Sequence, residues 1–244
     1  MNSRAPSQKA YNAVVPPRFV YRYRPLNDEF SSIQEMLKND RWWFGSRLKF
    51  DDEEDMKFLG YEHPDQEAAR RAAKETQEFM DNTGILCLSR SASHPTLWKK
   101  YAADGKGICI KLESDYLVEV ENGPFRVTYS NRPKPLWKPF AENPDPLQHL
   151  LQKKRCWDYQ GEWRCIVKWN AGDNPTVGYR SLLSKRGVAG VIFGWQTDRD
   201  DRLRVLDWLG RGRWLRRLGV SRPAQMQLQE ARVVGGSVQL FDWD

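Results

Sequence analysis

Apolar and polar residues alternate in several short stretches of the chain, and this alternation predicts half-buried β-strands. The first stretch, FVYRYR at Phe19–Arg24, is ended by Pro25. Later strands are predicted at Trp42–Ser46, Ile85–Ser89, Gly107–Leu112, Phe125–Tyr129, Glu162–Trp169 and Val188–Gly194, and the stretch VVGGSVQLF is predicted to close the chain as one more strand.

Apolar residues that recur every three to four positions predict helices between these strands. One helix is predicted over 28–38, and a second of about seventeen residues begins at the N-cap Asp65 and is closed by Gly84. Further helices are predicted at Pro95–Tyr101, Leu147–Trp157 and Asp200–Leu218. Because helices and strands mix without a strict β-α-β rhythm, the prediction is an α+β fold with a mixed, mostly antiparallel central sheet and flanking helices.

Length and composition favour one domain with a full hydrophobic core. The 244 residues are predicted to form a short disordered lead over 1–17 and a single α+β domain over 18–244. Four cysteines without a CxxC pair indicate free thiols, and no apolar run is long enough to span a membrane. The N-terminus has no apolar signal core, so we expect a soluble cytoplasmic protein.

The net charge of +7 is concentrated towards the C-terminus. Residues 201–222 hold seven arginines and two aspartates, so this segment alone contributes +5. Such a basic stripe can follow a phosphate backbone, but leucines at helical spacing also fit an amphipathic helix with a solvated basic face. If the segment binds nucleic acid, the candidate contacts are Arg211, Arg213, Arg216 and Arg217.

Several common catalytic and cofactor motifs are absent from the sequence. The stretch GRGRWL has Leu215 where a dinucleotide fingerprint needs its third glycine, and it follows a predicted helix rather than a strand. There is no P-loop, HExxH or GxSxG motif, and the three histidines are dispersed. Ordinary metallohydrolase, Ser-triad and P-loop chemistry is therefore not expected.

One set of polar residues lies at predicted strand ends. Arg22 and Arg24 are on the first strand, and Ser46 ends the second. Gln160 and Glu162 open a late strand, where the two-residue period places them on the same side. The acidic run 51–55 could hold a metal ion, although a solvated loop is the favoured interpretation.

Six blocks of this sequence resemble, in order, those of a bacterial domain-of-unknown-function family, number 2971. The blocks are YRYRP, WFGSRLKFDD, GILCLSRSASHPTLWKKYAADGKGICIKLE, VTYS, QKKRCWDYQGEWRCIV and VAGVIFG, and they extend from about Tyr21 to Gly194. Three positions depart from the family pattern. Its Asn-Asp-Pro reads Asp51-Asp52-Glu53, its His before Lys-Gly is Gly105, and the first Glu of its ExE is Gln160.

The order of these blocks also resembles the Arg-Ser-Glu branch of ADP-ribosyltransferases, which implies an NAD-dependent enzyme with a toxin or phage-defence effector as the expected role. The resemblance implies that Glu162 steadies the oxocarbenium cation formed when the nicotinamide bond breaks. It likewise implies that Arg24 grips the pyrophosphate, Ser46 holds the strand geometry and Gln160 orients the acceptor. The expected ligands are NAD and a macromolecular acceptor, with nucleic acid as one candidate and no membrane partner. The expected cofactor contacts are Arg22, Arg24, Tyr23, Trp98, Tyr101 and Trp157.

Structural interpretations of the same residues stay open. Glu162 and Arg164 could form an ion pair on one strand, and Arg24 could pair with the acidic run. Trp98 and Tyr101 share a helix face that could belong to the core. The alternative function is a non-enzymatic nucleic-acid-binding module that uses basic and aromatic surface.

Overall fold

The computed structural model describes residues 14–26, 30–39, 41–47, 50, 55, 65–120, 123–131, 146–168, 179–181, 187–210 and 226–243. These residues form an α+β fold with a mixed, mostly antiparallel central sheet and flanking helices, as predicted. None of the helices in these ranges is long and apolar enough to cross a membrane.

The strands and helices alternate irregularly along the chain. In order they are β1 (Phe19–Arg24), α1 (Phe30–Lys38), β2 (Arg41–Trp43), β3 (Gly45–Ser46), α2 (Gln66–Asp81), β4 (Thr83–Ser89), α3 (Pro95–Tyr101), β5 (Ile108–Glu113), α4 (Ser114–Val120), β6 (Phe125–Arg126), β7 (Thr128–Tyr129), α5 (Leu147–Leu150), β8 (Gln152–Lys153), β9 (Glu162–Lys168), β10 (Tyr179–Ser181), β11 (Val188–Phe193), α6 (Arg199–Trp208), β12 (Gln227–Val234) and β13 (Ser237–Asp242). Two 3-10 helices, Ala103–Gly105 and Arg155–Gln160, complete the described elements.

The central sheet has the strand order β13-β12-β11-β5-β1-β4-β9-β6, with β3 paired to β4. Its pairs are antiparallel except β11 with β12. Two small sheets lie apart from it: β10 pairs with β2, and β7 pairs in parallel with β8. The long middle strands are buried on both faces, which explains their continuous apolar runs.

Two buried clusters cover the faces of this sheet near β1. Ile33, Met36 and Leu37 of α1 are buried in the larger cluster, so the predicted apolar face of this helix is confirmed. Trp98 of α3 is fully buried in the second, where its indole N–H donates to the Ala92 carbonyl at 2.7 Å. Its ring also meets Tyr23 edge-on at 5.2 Å. Trp98 is therefore a core residue.

Several predicted elements match the structure, and others do not. The first strand and the helix Pro95–Tyr101 are confirmed to the residue. Asp65 caps α2 by accepting the N–H groups of Glu67 and Ala68, as predicted. Closure of this helix by Gly84 is wrong, because α2 ends at Asp81 and Gly84 lies inside β4.

The predicted helix Leu147–Trp157 is also wrong. Only Leu147–Leu150 is helical, after which β8 pairs with β7 and the 3-10 helix follows. The pairing with β7, about twenty residues earlier in the chain, outweighs the local helical spacing.

The C-terminal part differs in two ways. Helix α6 ends at Trp208, before the predicted end at 218, and Gly210 follows with a positive φ of 71° that suits a helix stop. The predicted last strand is instead the hairpin β12–β13, whose turn is Gly235-Gly236 with both φ values positive.

Candidate functional site

A cavity of about 500 Å³ is lined by residues of β1, β3, β4 and α3 and by the first residue of β9. Its size falls in the range of small-molecule sites. The residues that line it are Tyr21, Arg22, Tyr23, Arg24, Pro25, Trp43, Gly45, Ser46, Phe50, Ile85, Cys87, Leu88, Ser89, Leu97, Lys100, Tyr101, Lys153, Gln160 and Glu162.

The predicted triad of Arg24, Ser46 and Glu162 lines this one cavity. Strand order accounts for the convergence, since β1 and β9 flank β4 and β3 pairs with the other end of β4. The register places Tyr21 opposite Ser89, and Ser89 opposite Glu162. Residues far apart in sequence thereby line one cavity that extends along β4.

Two arginines of β1 bring positive charge to the cavity wall. Arg22 donates from Nη1 to the Cys87 carbonyl at 2.6 Å, while its buried Nε has no partner among the described residues. Burial lowers the pKa of Arg22, with partial opposition from Cys87 and Glu162. Arg24 donates from Nη2 to the Ser32 hydroxyl at 2.7 Å.

Glu162 belongs to a buried network of four charged side chains, which we call the ion quartet: Asp55, Lys153, Glu162 and Arg164. Arg164 donates to both oxygens of Glu162, at 2.7 and 3.2 Å, and to both oxygens of Asp55, at 3.0 and 2.8 Å. Lys153 lies 3.1 Å from Glu162 and 2.9 Å from Asp55. All four side chains are at most 8% exposed, and two positive charges balance two negative ones.

These contacts fix the protonation state of Glu162. Burial alone would raise the pKa of its carboxyl, but Arg164 and Lys153 outweigh burial and lower the pKa to about 2. The pKa of Lys153 is raised, because Glu162 and Asp55 outweigh the effect of its burial. Burial raises the pKa of the neighbouring Cys87 thiol to about 12. At neutral pH the cavity therefore contains a carboxylate and a protonated thiol.

The ion pair Glu162–Arg164, one of the structural interpretations of the sequence, is thus present. Asp55 is buried in the ion quartet, so the solvated-loop interpretation is wrong for this member of the acidic run; residues 51–54 lie outside the described residues. Among the described residues no group of acidic, His or Cys side chains could hold a metal ion.

Gln160 reaches the cavity by a different route from the predicted one. It ends the 3-10 helix rather than opening the strand, and Gly161 follows in the left-handed conformation before β9 begins. Its side-chain Nε2 donates to the Tyr101 hydroxyl at 2.8 Å, and its backbone carbonyl accepts from the Ser89 hydroxyl at 2.7 Å. Gln160 and Glu162 still line the same cavity.

The aromatic candidates divide into two groups. Tyr23 and Tyr101 line the cavity, and Tyr101 is partly exposed there. Trp98 lies in the core, and Trp157 is not part of the cavity lining, so neither is positioned for the predicted cofactor contact. Trp157 instead lies beneath the Lys100 ammonium, 4.5 Å from its ring centroid.

The structure adds residues that the sequence reasoning missed. Lys100 and Lys153 line the cavity beside Arg22 and Arg24, so among the described lining residues four cations face one carboxylate. Tyr21, Trp43 and Phe50 supply further aromatic wall. The two-residue alternation of Glu162 and Arg164 was a usable signal, whereas no local pattern points to Lys153.

The basic C-terminal segment contributes less than predicted to what can be described. Arg202 is half-buried and pairs with Glu230 at 2.7 Å, while Arg204 is exposed. The four arginines that the sequence suggests as nucleic-acid contacts lie outside the described residues: Arg211, Arg213, Arg216 and Arg217.

No protein-family model, no curated protein and no solved structure matches the chain.

Proposed function

We propose that the cavity binds NAD and that the protein is an ADP-ribosyltransferase-like enzyme. One observation carries the proposal: Arg24, Ser46 and Glu162 come from three different strands and line one cavity. The combination of cations, aromatic rings and one ionised carboxylate suits a ligand with a pyrophosphate, two flat bases and ribose hydroxyls.

Charge is the first support for a nucleotide ligand. Among the described lining residues, four cations and one carboxylate leave an excess of +3 at the cavity wall. The cations are Arg22, Arg24, Lys100 and Lys153, and the carboxylate is Glu162. A guanidinium binds phosphate oxygens through paired N–H groups, and Arg22 has a buried Nε without a partner among the described residues. In the proposed complex Arg22 and Arg24 hold the pyrophosphate.

Aromatic rings are the second support. Tyr21, Trp43 and Tyr101 are wall residues against which a nicotinamide or adenine ring can stack. Tyr101 is fixed by its hydrogen bond from Gln160. The arrangement places a stacking ring next to the amide proposed to orient the acceptor.

Glu162 has the charge state that the reaction needs. Its carboxylate stays ionised at neutral pH, so it can stabilise positive charge that develops on the ribose. Three charge-assisted hydrogen bonds use three of its roughly four acceptor sites. The Cys87 thiol, a weak donor, hydrogen-bonds to Glu162 at the remaining site, and a ribose hydroxyl can replace it there.

The proposed reaction is a substitution at the nicotinamide ribose. The bond between C1′ and the nicotinamide nitrogen breaks, and its electron pair leaves with nicotinamide. The acceptor nucleophile bonds to C1′ and loses its proton to solvent. Water as nucleophile gives free ADP-ribose, whereas a macromolecule gives the modified product.

The experiment is nicotinamide release from labelled NAD, with and without bacterial lysate. The decisive variants are Glu162→Gln and Asp55→Asn, because each removes one carboxylate from the ion quartet and only Glu162 lines the cavity. Per folded molecule, we expect Glu162→Gln to lower release by about a hundredfold or more and Asp55→Asn to retain most of it. Absence of release by wild-type protein under all conditions would reject the enzyme and favour the non-enzymatic binding module.

A further inference from the structure

We infer that a second, basic groove next to the cavity binds single-stranded nucleic acid. The groove has a volume of about 730 Å³ and runs along β6 and β9 and the 3-10 helix. Its lining includes Arg90, Arg126, Arg155, Asp158 and Tyr129. This groove is distinct from the C-terminal arginines considered from the sequence.

The charge of the groove is the first argument. Arg90, Arg126 and Arg155 are exposed, and none of them forms an ion pair within the part of the chain that the structure describes. Among the described residues of the lining, Asp158 is the one exposed carboxylate, and the charge of Glu162 is compensated inside the ion quartet. Three free guanidinium groups around a groove favour a ligand with several phosphates.

Arg90 is held in place by the backbone beneath it. The backbone N–H of Arg90 donates to the Gly161 carbonyl at 3.0 Å. The Arg90 side chain passes over Gly161, and a Cβ atom on Gly161 would lie only 2.7 Å from Arg90 Cγ. Gly161 has a φ of +49°, which further disfavours a side chain. The glycine thus leaves room for a positioned arginine.

Aromatic rings on the 3-10 helix that carries Arg155, outside the groove lining itself, favour single strands over duplexes. Trp157 and Tyr159 are partly exposed on the same 3-10 helix as Arg155, with ring centroids 5.9 Å apart. Lys100 lies over the Trp157 ring at 4.5 Å. Unpaired bases stack on such rings while basic side chains follow the backbone.

The position of the groove connects it to the cavity, because Glu162 lines both. A strand bound in the groove would lie beside the proposed site of ribose chemistry. Its role as acceptor rests on the proposed function, whereas its binding does not.

The test is fluorescence anisotropy with a labelled single-stranded oligonucleotide, measured over a series of salt concentrations without NAD. The groove variant combines Arg90→Gln, Arg126→Gln and Arg155→Gln. The matched control combines Arg70→Gln, Arg71→Gln and Lys74→Gln on α2, which removes three charges from exposed residues that line neither site. We expect the groove variant to bind about tenfold more weakly or worse, with a salt dependence reduced by about two counterions, and the control to bind nearly as wild type.

A further variant, Trp157→Ala, tests the stacking contribution and should weaken binding by about fivefold. Equal loss in groove and control variants, or tighter binding to duplex than to single strand, would overturn the inference. Equal competition by poly-glutamate would overturn it as well, since charge alone would then explain binding. The binding assay contains no NAD, so its result does not depend on the proposed function. Oligonucleotide binding in this assay, together with no nicotinamide release in the separate NAD assay, would reject only the proposed enzyme.

Discussion

Removal of one charge from the ion quartet should destabilise the fold strongly. In Glu162→Gln, the cations Arg164 and Lys153 face Asp55 alone, so one buried positive charge loses its balance. The Arg164 side chain has no exposed surface, and water cannot compensate. Breaking a buried ion pair from one side typically costs about 3–5 kcal/mol.

The lowered pKa of Glu162 arises from the same contacts with Arg164 and Lys153 and points to the same order of magnitude. The fall from 4.5 to about 2 is worth about 3 kcal/mol at roughly 1.4 kcal/mol per pKa unit. This energy measures how strongly the folded protein prefers the ionised carboxyl. Both arguments therefore predict a loss of about 3 kcal/mol or more in the free energy of unfolding.

Urea unfolding of four proteins measures this effect: wild type, Glu162→Gln, Lys153→Met and the double variant. Each single variant unbalances the ion quartet, whereas the double variant restores neutrality, so its cost should be well below the sum of the single costs. A loss below about 1 kcal/mol in Glu162→Gln, or additive costs in the double variant, would refute the electrostatic reasoning.

Two further predictions concern pH and Arg22. Burial lowers the pKa of His149 to about 4 in the folded protein. The imidazole is therefore protonated at a higher pH in the unfolded chain than in the folded one, and the free energy of unfolding should fall as pH drops from about 6.5 towards 4. The contribution of ionised Glu162 to the free energy of unfolding is complete above the usual pKa of 4.5 and should be lost as pH falls towards 2. Urea midpoints of wild type and His149→Gln, measured across this pH range, separate the His149 effect from the Glu162 effect. Arg22→Met should leave the free energy of unfolding unchanged or higher, because a partly satisfied buried cation is removed, while calorimetry should show NAD binding weakened by about tenfold or more. A clear loss of stability with unchanged NAD affinity would make Arg22 a purely structural residue.

Local sequence signals were sufficient where one stretch of chain decides the structure. The alternation in Phe19–Arg24 with the following Pro25 predicts β1, and Asp65 predicts the start of α2 because its carboxylate can accept the first helical N–H groups. Arg24 and Glu162 line one cavity, but not because they lie at the same edge of the sheet. β1 and β9 run in the same direction on either side of β4, so the last residue of β1 and the first residue of β9 lie towards opposite ends of the sheet. The pairing of Arg164 with Glu162 was among the open interpretations because the two residues alternate on one strand.

Long-range contacts account for what local patterns could not predict. Asp55 meets Arg164 across 109 residues, and nothing in the acidic run marks that carboxylate as buried. Lys153 reaches the cavity because β8 pairs with β7, which replaces the expected helix. Nothing in the local sequence marks Trp98 as a core ring and Trp157 as a partly exposed one, and only packing separates the two.

The most direct test of the central claim is a calorimetric titration of NAD into the wild-type protein. The account predicts saturable binding at one site per chain, with affinity that falls as salt screens the cationic wall of the cavity. Absence of detectable binding at millimolar NAD, or binding that is unaffected by salt, would contradict it.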